Sequence, residues 1–286
     1  MCRNPYTLPD HELEALLHDD APCGDATTFA LGISQRPGRL EFRARQAMTV
    51  CGVEEARRMG ELRGLAVVGE VLGSGTRLAA GELFLTLTGE AGALHRVWKT
   101  AQTLMEYLSG IATCAADLLA TARAADPQAA LVCTRKNFPG TKAASLKAVL
   151  CAGASPHRLN LSETLLLFAE HRAFLGDEPP ATTVGRFRQQ WPERSVVVEV
   201  GSVAEALRWA AAGADILQLE KLPPAAVAEL AATLAKESST GVRLAVAGGV
   251  TPGNAAEYVR AGARILVSSA PYFAEPKDVA VTLAPL

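Results

Sequence analysis

A chain of 286 residues, 49% of them hydrophobic, has material for one large domain or two ordinary ones. A formal net charge of -2 and only 5% aromatic residues argue against a general nucleic-acid binder, which needs a basic excess or a base-stacking platform. No apolar run reaches membrane-span length, and the start MCRNPYTLPDHELEALL lacks the basic and apolar regions of a signal peptide. The six cysteines form no CxxC pair and no metal-finger spacing. A reduced, cytoplasmic protein with no membrane or nucleic-acid partner is expected.

Leu8 to His18 predicts a short helix, with Leu13, Leu16 and Leu17 on one face and Pro9 and Asp10 at its start. The polar segment DDAPCGDATT follows. From Gly38 to Gly89 the pattern is β-like: GRLEFRARQAMTVCG alternates, and AVVGEVLGSGTRLAAGELFLTLTG reads as hairpins broken by glycines. Ala93 to Arg123 predicts one long amphipathic helix or a broken pair, with the domain boundary inside it. After Pro127 the rhythm changes. Short apolar strands (ALVCT, SVVVEV, ADILQLE, RLAVAGG, ARILVSS) alternate with Ala-rich helices, the pattern of parallel βα units. The residues after Pro271 are expected to pack back on the structure. The organisation expected is an α/β protein with domains at residues 1–112 and 113–286.

Charge is distributed unevenly. Pro127 through Ser162 contains no Asp or Glu, although the chain has 30, while it carries Arg135, Lys136, Lys142, Lys147, His157 and Arg158. Cations without local counter-ions suit an external anion. In βα proteins functional residues collect at the C-terminal ends of strands. Thr134, Arg135 and Lys136 follow ALVC, Glu199 lies near the end of SVVVEV, and Glu220 and Lys221 end ADILQL. Gly248 and Gly249 follow LAVA, and Ser268 and Ser269 follow RILV. The paired glycines allow a ligand to approach the backbone, and the helix after them is expected to offer free N–H groups to a phosphate. Two carboxylates opposite a cationic site suit Mg²⁺ carrying a diphosphate. His157 and Arg158 suit a planar carboxylate. A single strand-end residue is more often a solvated loop end, and a carboxylate in an apolar strand is often half of a structural ion pair; five such ends together shift the balance toward a site. Lys142 and Lys147 read as solvent-exposed helix residues, and Cys133 and Cys151 as core.

The run TRKNFPGTKAASLKAVLCAGASPHRLNLSE resembles the quinolinate phosphoribosyltransferase family (nicotinate-nucleotide pyrophosphorylase, carboxylating), whose pattern is T-R-K-T-x-P-G, a helix, then G-G-G-x-x-H-R. The resemblance extends over nearly the whole chain, through GDATT, LSGIAT at 108–113, VEV at 198–200, GADILQLE at 213–220 and the GGV turn at 248–250. The variant motif FPGTK with HRLxLSETxLLF and EH looks more like the ModD branch, named for its association with molybdenum-transport genes. The resemblance implies an N-terminal α/β sandwich and an incomplete, seven-stranded-type α/β barrel, assembled as a homodimer whose sites are completed by the partner subunit. It implies transfer of phosphoribosyl from phosphoribosyl diphosphate to the nitrogen of a small aromatic, pyridine-carboxylate-like acceptor, with Mg²⁺. Carried over, Arg135, His157 and Arg158 would hold the acceptor's carboxylate and Lys136 the phosphoribosyl diphosphate. Glu199 and Glu220 would face ribose and metal, and Gly248, Gly249 and Ser269 the 5′-phosphate.

The chain departs from that pattern around the acceptor. Phe168 stands where the family has the Lys of K-D-N-H. Trp98-Lys99 stands in place of a Glu-Arg whose Arg reaches the neighbouring subunit's site. Leu146 occupies the register of a helix Lys, with Lys147 one step on. Glu220 replaces an Asp, and Ala247 a Ser. The lost Lys at Phe168 and the Arg shortened to Lys99 imply a less anionic acceptor than quinolinate. The alternative is a non-catalytic phosphoribosyl- or oxyanion-binding protein linked to molybdenum utilisation.

Overall fold

The computed structural model describes residues 7–236 and 241–286. The chain forms two compact units that interleave in sequence. One comprises Met1–Ala116, Asn137–Gly153 and Pro271–Leu286, the other Asp117–Lys136 and Ala154–Ala270.

In the first unit, helix α1 (Asp10–Asp20) buries Leu13 and Leu17, as its spacing predicts. The short α2 (Ala26–Ala30) follows Asp25, whose carboxylate accepts the Thr27 and Thr28 N–H groups at 3.0 and 3.2 Å. Strand β1 (Pro37–Ala44) alternates as expected and buries Leu40, Phe42 and Ala44 completely. After β2 (Met48–Thr49) the segment read as β throughout is interrupted by helix α3 (Val53–Leu62), which corrects that expectation. VEEARRMGEL buries Val53, Ala56, Met59 and Gly60 at helical spacing, and the helix starts from Gly52, whose φ of 92° lies in the left-handed region that favours glycine. Strands β3 (Ala66–Val67), β4 (Arg77–Leu78) and β5 (Leu83–Glu90) follow. The sheet is antiparallel, with β1 between β5 and the C-terminal strand Val279–Pro285, and β3 beyond β5. The chain therefore does pack back on itself after Pro271.

Helix α4 (Ala91–Ala125) is continuous over 35 residues, and both the expected boundary at 112/113 and the division at Ala116 fall within it. Its LSGIAT motif has a structural explanation. The buried hydroxyls of Ser109 and Thr113, one turn apart, accept the N–H groups of Cys51 and Thr49 at 3.0 and 2.9 Å. Between them, a Cβ on Gly110 would come within 2.5 Å of the Glu275 carbonyl oxygen.

Helix α5 (Lys142–Cys151) overturns the reading of Lys147 as a surface residue. Lys147 is 0% exposed. Its Nζ donates to both oxygens of the equally buried Glu55 at 2.7 and 2.6 Å and lies 2.9 Å from Glu54 Oε2. Glu55 also accepts the Leu8 N–H at 3.0 Å, and Glu54 accepts from the Ser74 amide and hydroxyl. Burial works against both charges. It is outweighed at Lys147, where the two glutamates push the pKa up, and at Glu54, where Lys147 and Ser74 hold the carboxyl down to about 2.

The second unit is a single parallel sheet of seven strands, curled as an incomplete α/β barrel. In chain order these are β6 (Ala130–Cys133), β7 (Ser155–Pro156), β8 (Leu165–Leu167), β9 (Val196–Val200), β10 (Ile216–Glu220), β11 (Arg243–Ala247) and β12 (Ile265–Ser268). The spatial order is β7-β6-β12-β11-β10-β9-β8. The five strands read from apolar runs are present; β7 and β8, only two and three residues long, are the sheet edges and lack a periodic signature of their own. Registers place Gln218 of β10 opposite Glu199 of β9 and Ala245 of β11, and Glu220 opposite Ala247. Ala245, Ala247, Val267, Ile216, Ile265 and Val132 pack together as the inner apolar cluster.

Removing Lys147 leaves Glu55 buried and uncompensated. Lys147→Met is expected to lower unfolding stability by about 3–5 kcal/mol, with Lys147→Met/Glu55→Leu recovering part of the loss. Glu54, held below its ordinary 4.5, stabilises the fold above that pH and ceases to do so as pH falls toward its folded value. Urea unfolding as a function of pH checks both, since Glu54→Gln should flatten that acid limb.

Candidate active site

At the C-terminal ends of the barrel strands lies a cavity of about 900 Å³, lined by residues of the second unit alone. Arg135, Lys136, His157, Arg158, Phe168, Glu199, Glu220, Gly248, Gly249 and Ser269 all line it. Ten of the eleven site positions expected from the sequence thus converge. Lys99 does not. It lies on α4, donates to Gln102 Oε1 at 2.9 Å, and lines a separate cavity of about 690 Å³ with Tyr107, Phe138 and Tyr272.

The cavity is electrically two-sided. Arg135 and Lys136 follow β6, and His157 and Arg158 follow the neighbouring β7. Glu199 and Glu220 come from the adjacent β9 and β10, toward the other edge of the sheet. Among the described residues no carboxylate lies within 4.0 Å of the charged groups of Arg135, Lys136 or Arg158. Arg158 is only 8% exposed, and its guanidinium carbon lies 5.6 Å from the Phe168 ring centroid. Phe168 in turn stacks on His171, 5.7 Å between centroids, while the Phe168 N–H donates to His171 Nδ1. Phe168, which follows one edge strand, therefore buttresses the arginine that follows the other. His157 is pushed below the ordinary histidine range by burial first, then by the charges of Arg158 and Arg135, so it is neutral at pH 7.

On the acidic side burial raises the Glu199 carboxyl, and the charge of Glu220 adds to the effect. Glu199 Oε2 accepts a hydrogen bond of 2.8 Å from Gln218 Nε2, so its partner is a neutral amide and not a cation. Glu220 has only a loose neighbour, Lys221 Nζ at 3.8 Å. Lys221 is the one non-glycine among the described residues with positive φ, at 56°. Its N–H donates to the Ala247 carbonyl at 2.8 Å. Gly248 lies against the same pair: a Cβ there would meet Lys221 Cγ at 2.7 Å and Glu220 Oε1 at 2.9 Å, and its φ is 83°. The strain at Lys221 and the bare backbone at Gly248 are thus one feature, a turn folded tightly onto the second carboxylate.

Two expectations change in detail. The helix after the paired glycines, Ala255–Arg260, is only six residues long, and Asn254 Oδ1 already accepts the Thr251 N–H at 2.8 Å. So short a helix does not supply the expected row of free N–H groups, and of the two glycines Gly249 is the one with nothing within 4 Å of its Cβ position. Both serines line the cavity, but Ser268 is buried and its hydroxyl donates to the Val250 carbonyl at 2.8 Å, whereas Ser269 has no such internal commitment. Sequence reading also passed over Gln218, although it shares the inward face of ILQLE with Glu220 and is a polar residue in an apolar strand. Among the described residues no group of three or more His, Cys, Asp or Glu is placed to hold a metal, and no helix is long and apolar enough to cross a membrane.

Comparison with known proteins agrees with this geometry. The family model described as quinolinate phosphoribosyl transferase, C-terminal domain, matches residues 111–282, and that for the N-terminal domain matches residues 25–109. The chain is 47% identical over 259 residues to a Rhodobacter capsulatus protein named "Putative pyrophosphorylase ModD", covering 91% of this chain and 99% of that one. A Pasteurella multocida protein of the same name is 37% identical over 276 residues, 96% of this chain and 97% of that one. Among solved structures, NadC from Streptococcus pyogenes superposes with a TM-score of 0.87 at 24% identity, covering 97% of this chain and 96% of that one, a likeness of fold.

The like-charge environment of His157 is testable. Histidine titration followed by NMR should place its midpoint below 6.5, and Arg135→Met and Arg158→Met should each raise it. An unmoved midpoint in both variants would mean that the arginines do not face the ring.

Proposed function

Since the chain belongs to the quinolinate phosphoribosyl transferase family, we propose that it transfers phosphoribosyl from phosphoribosyl diphosphate to a ring nitrogen of a pyridine-carboxylate-like acceptor. The observation that carries this reading is the division of one cavity into an unpaired cationic side and a carboxylate side at the strand ends. In the reaction the nitrogen lone pair forms the new bond to the ribose carbon, while the bond to diphosphate breaks and its electron pair leaves with the diphosphate. Positive charge develops on the sugar and negative charge on the leaving group.

The residues divide that task by position. Arg135 and Arg158 hold the acceptor's carboxylate, with neutral His157 donating a hydrogen bond beside them and leaving the ring nitrogen unprotonated for attack. Lys136 contacts the departing diphosphate. Gly248, Gly249 and Ser269 receive the 5′-phosphate, with nothing within 4 Å of the Cβ position of Gly249 to keep a ligand from its backbone. Glu199 and Glu220 face the developing cation and the ribose. The two carboxylates also fit Mg²⁺: two ligands without a third suit an ion that keeps its remaining positions for water and substrate phosphate, and a divalent cation would offset the burial and the Glu220 charge that together raise Glu199. Bound there with the diphosphate, Mg²⁺ would neutralise the leaving group's charge.

Loss of the family's lysine at Phe168 leaves the acceptor side with fewer cations. The acceptor is accordingly less anionic than quinolinate, and no decarboxylation need follow transfer. Lys99, with the apolar cavity beside it and Phe138 76% exposed, belongs to the face through which a second copy would complete the site in a homodimer. A reduced cytoplasmic setting suits all of these ligands.

The test is diphosphate release from isotope-labelled phosphoribosyl diphosphate with Mg²⁺ and a panel of pyridine and purine-like acceptors. Release with at least one acceptor is expected, and Arg135→Ala and Lys136→Ala should each lower kcat/KM by about 10²–10³-fold. Tight binding with no release for any acceptor would favour a non-catalytic binder. Quinolinate turnover at ordinary enzyme efficiency would overturn the less anionic acceptor.

A further inference from the structure

Among the described side chains that are not exposed, one buried polar atom has no hydrogen-bond partner: Oε1 of Gln218. The residue is 4% exposed and lines the barrel cavity. Its orientation is fixed from the other end of the amide. Nε2 donates to Glu199 Oε2 at 2.8 Å, and an amide beside a carboxylate must turn its N–H toward it and its carbonyl away. The neighbour opposite it on the third strand is Ala245, with Ala247 one layer above, so no long side chain from β11 reaches across to satisfy the oxygen. A buried acceptor left in this way costs stability in the free protein, and it is repaid by a ligand that brings a donor.

Depth says which ligand. Gln218 lies two residues before the end of β10, one side-chain layer, or about 7 Å, beneath Glu220. The groups suited to phosphate and diphosphate are at the rim: Lys136 and Gly249 are exposed, and Gly248 and Ser269 follow their strands. A phosphoribosyl diphosphate anchored at the rim leaves the deeper layers, where Gln218 and Leu166 line the cavity beneath Ala247 and Val267, to the flat end of the other substrate.

We propose that Gln218 is a specificity-determining residue whose Oε1 accepts a hydrogen bond from an N–H or O–H group on the acceptor, so that the acceptor is a nitrogen heterocycle carrying one carboxylate and one ring or exocyclic donor. This rests on the phosphoribosyl-transfer reading and deepens it. The pocket exchanges recognition of a second anionic group for recognition of a neutral donor. A site with a buried acceptor discriminates strongly against an analogue lacking the donor, because that analogue leaves the oxygen unpaired.

The experiment uses the full-length protein and matched probes: nicotinate against 2-aminonicotinate, 6-aminonicotinate, 2-hydroxynicotinate and 6-hydroxynicotinate. Equilibrium binding is measured by calorimetry, and diphosphate release separately. At least one donor-bearing probe is expected to bind about tenfold more tightly than nicotinate. Gln218→Met, which keeps the bulk and removes the acceptor, should reduce that preference to within about twofold, with Gln218→Leu as a second variant and thermal melting to confirm that each is folded. Equal binding of all probes to the unaltered protein, or a preference that survives in both variants, overturns the proposal. So does a result in which Gln218→Met weakens phosphoribosyl diphosphate measured alone and leaves the probe preference intact, since the donor would then be a ribose hydroxyl. Absence of diphosphate release with a retained, Gln218-dependent binding preference supports this inference while overturning the transfer reading, so the two fail separately.

Discussion

The in-register parallel pairing of β9, β10 and β11 is the constraint on which the site depends. Successive side chains on a strand point to opposite faces, so every second residue enters the barrel. With Glu199 opposite Gln218, and Glu220 opposite Ala247, the pairing sets two carboxylates and one amide on a common inner surface in a fixed stagger. A slip of one residue would turn all three outward and bring Val200, Leu219 and Val246 inside, which burial forbids. The apolar residues between the functional ones are therefore what locks the chemistry in place. The carboxylates need no ion pair to be held, and the one hydrogen bond at Glu199 comes from a group that registers in the same layer.

The cationic side is built on a different principle. Arg135, Lys136, His157 and Arg158 lie past the ends of β6 and β7, where the last ladder bond runs from the His157 N–H to the Cys133 carbonyl at 2.7 Å and Arg158 lies beyond it. Arg158 is instead held by the face of Phe168, which follows β8 at the opposite edge of the sheet. An open sheet has two unsatisfied edges, and here a cation–π contact joins the loops beyond them. Attraction to a ring, unlike an ion pair, leaves the guanidinium's N–H groups and net charge available to a ligand. Phe168 therefore holds a cation at the cavity without neutralising it.

How much of this the sequence disclosed follows from the range of each signal. The five long strands, the helix after Ala91 and the convergence at strand ends were legible because apolar periodicity is local and repeated. Helix α3 was missed because the glycines and alternating stretches around it carry the hairpin pattern, although its own Val53, Ala56 and Met59 spacing is helical. Strands β7 and β8 are too short to show a period at all. Lys147 was misread because a lysine on a helix is ordinarily solvated, and its partners Glu54 and Glu55 are 92 residues or more away in the chain. Gln218 was legible in principle, since it is two residues from a candidate site residue in an apolar strand. What no sequence pattern supplies is that one of its two polar atoms is satisfied and the other is not.

Lys147 shows how a cation in the acid-free stretch can be withdrawn from ligand binding. Neighbouring helix positions differ in direction by about 100°. In α5 that direction takes the Lys147 ammonium into the core of the first unit, where Glu54 and Glu55 fully employ it. It is thus unavailable to any ligand without breaking a buried, charge-assisted network. The cations that line the barrel cavity are therefore Arg135, Lys136, Arg158 and Lys221, and the unpartnered polar group the cavity sets beside them is the uncharged oxygen of Gln218.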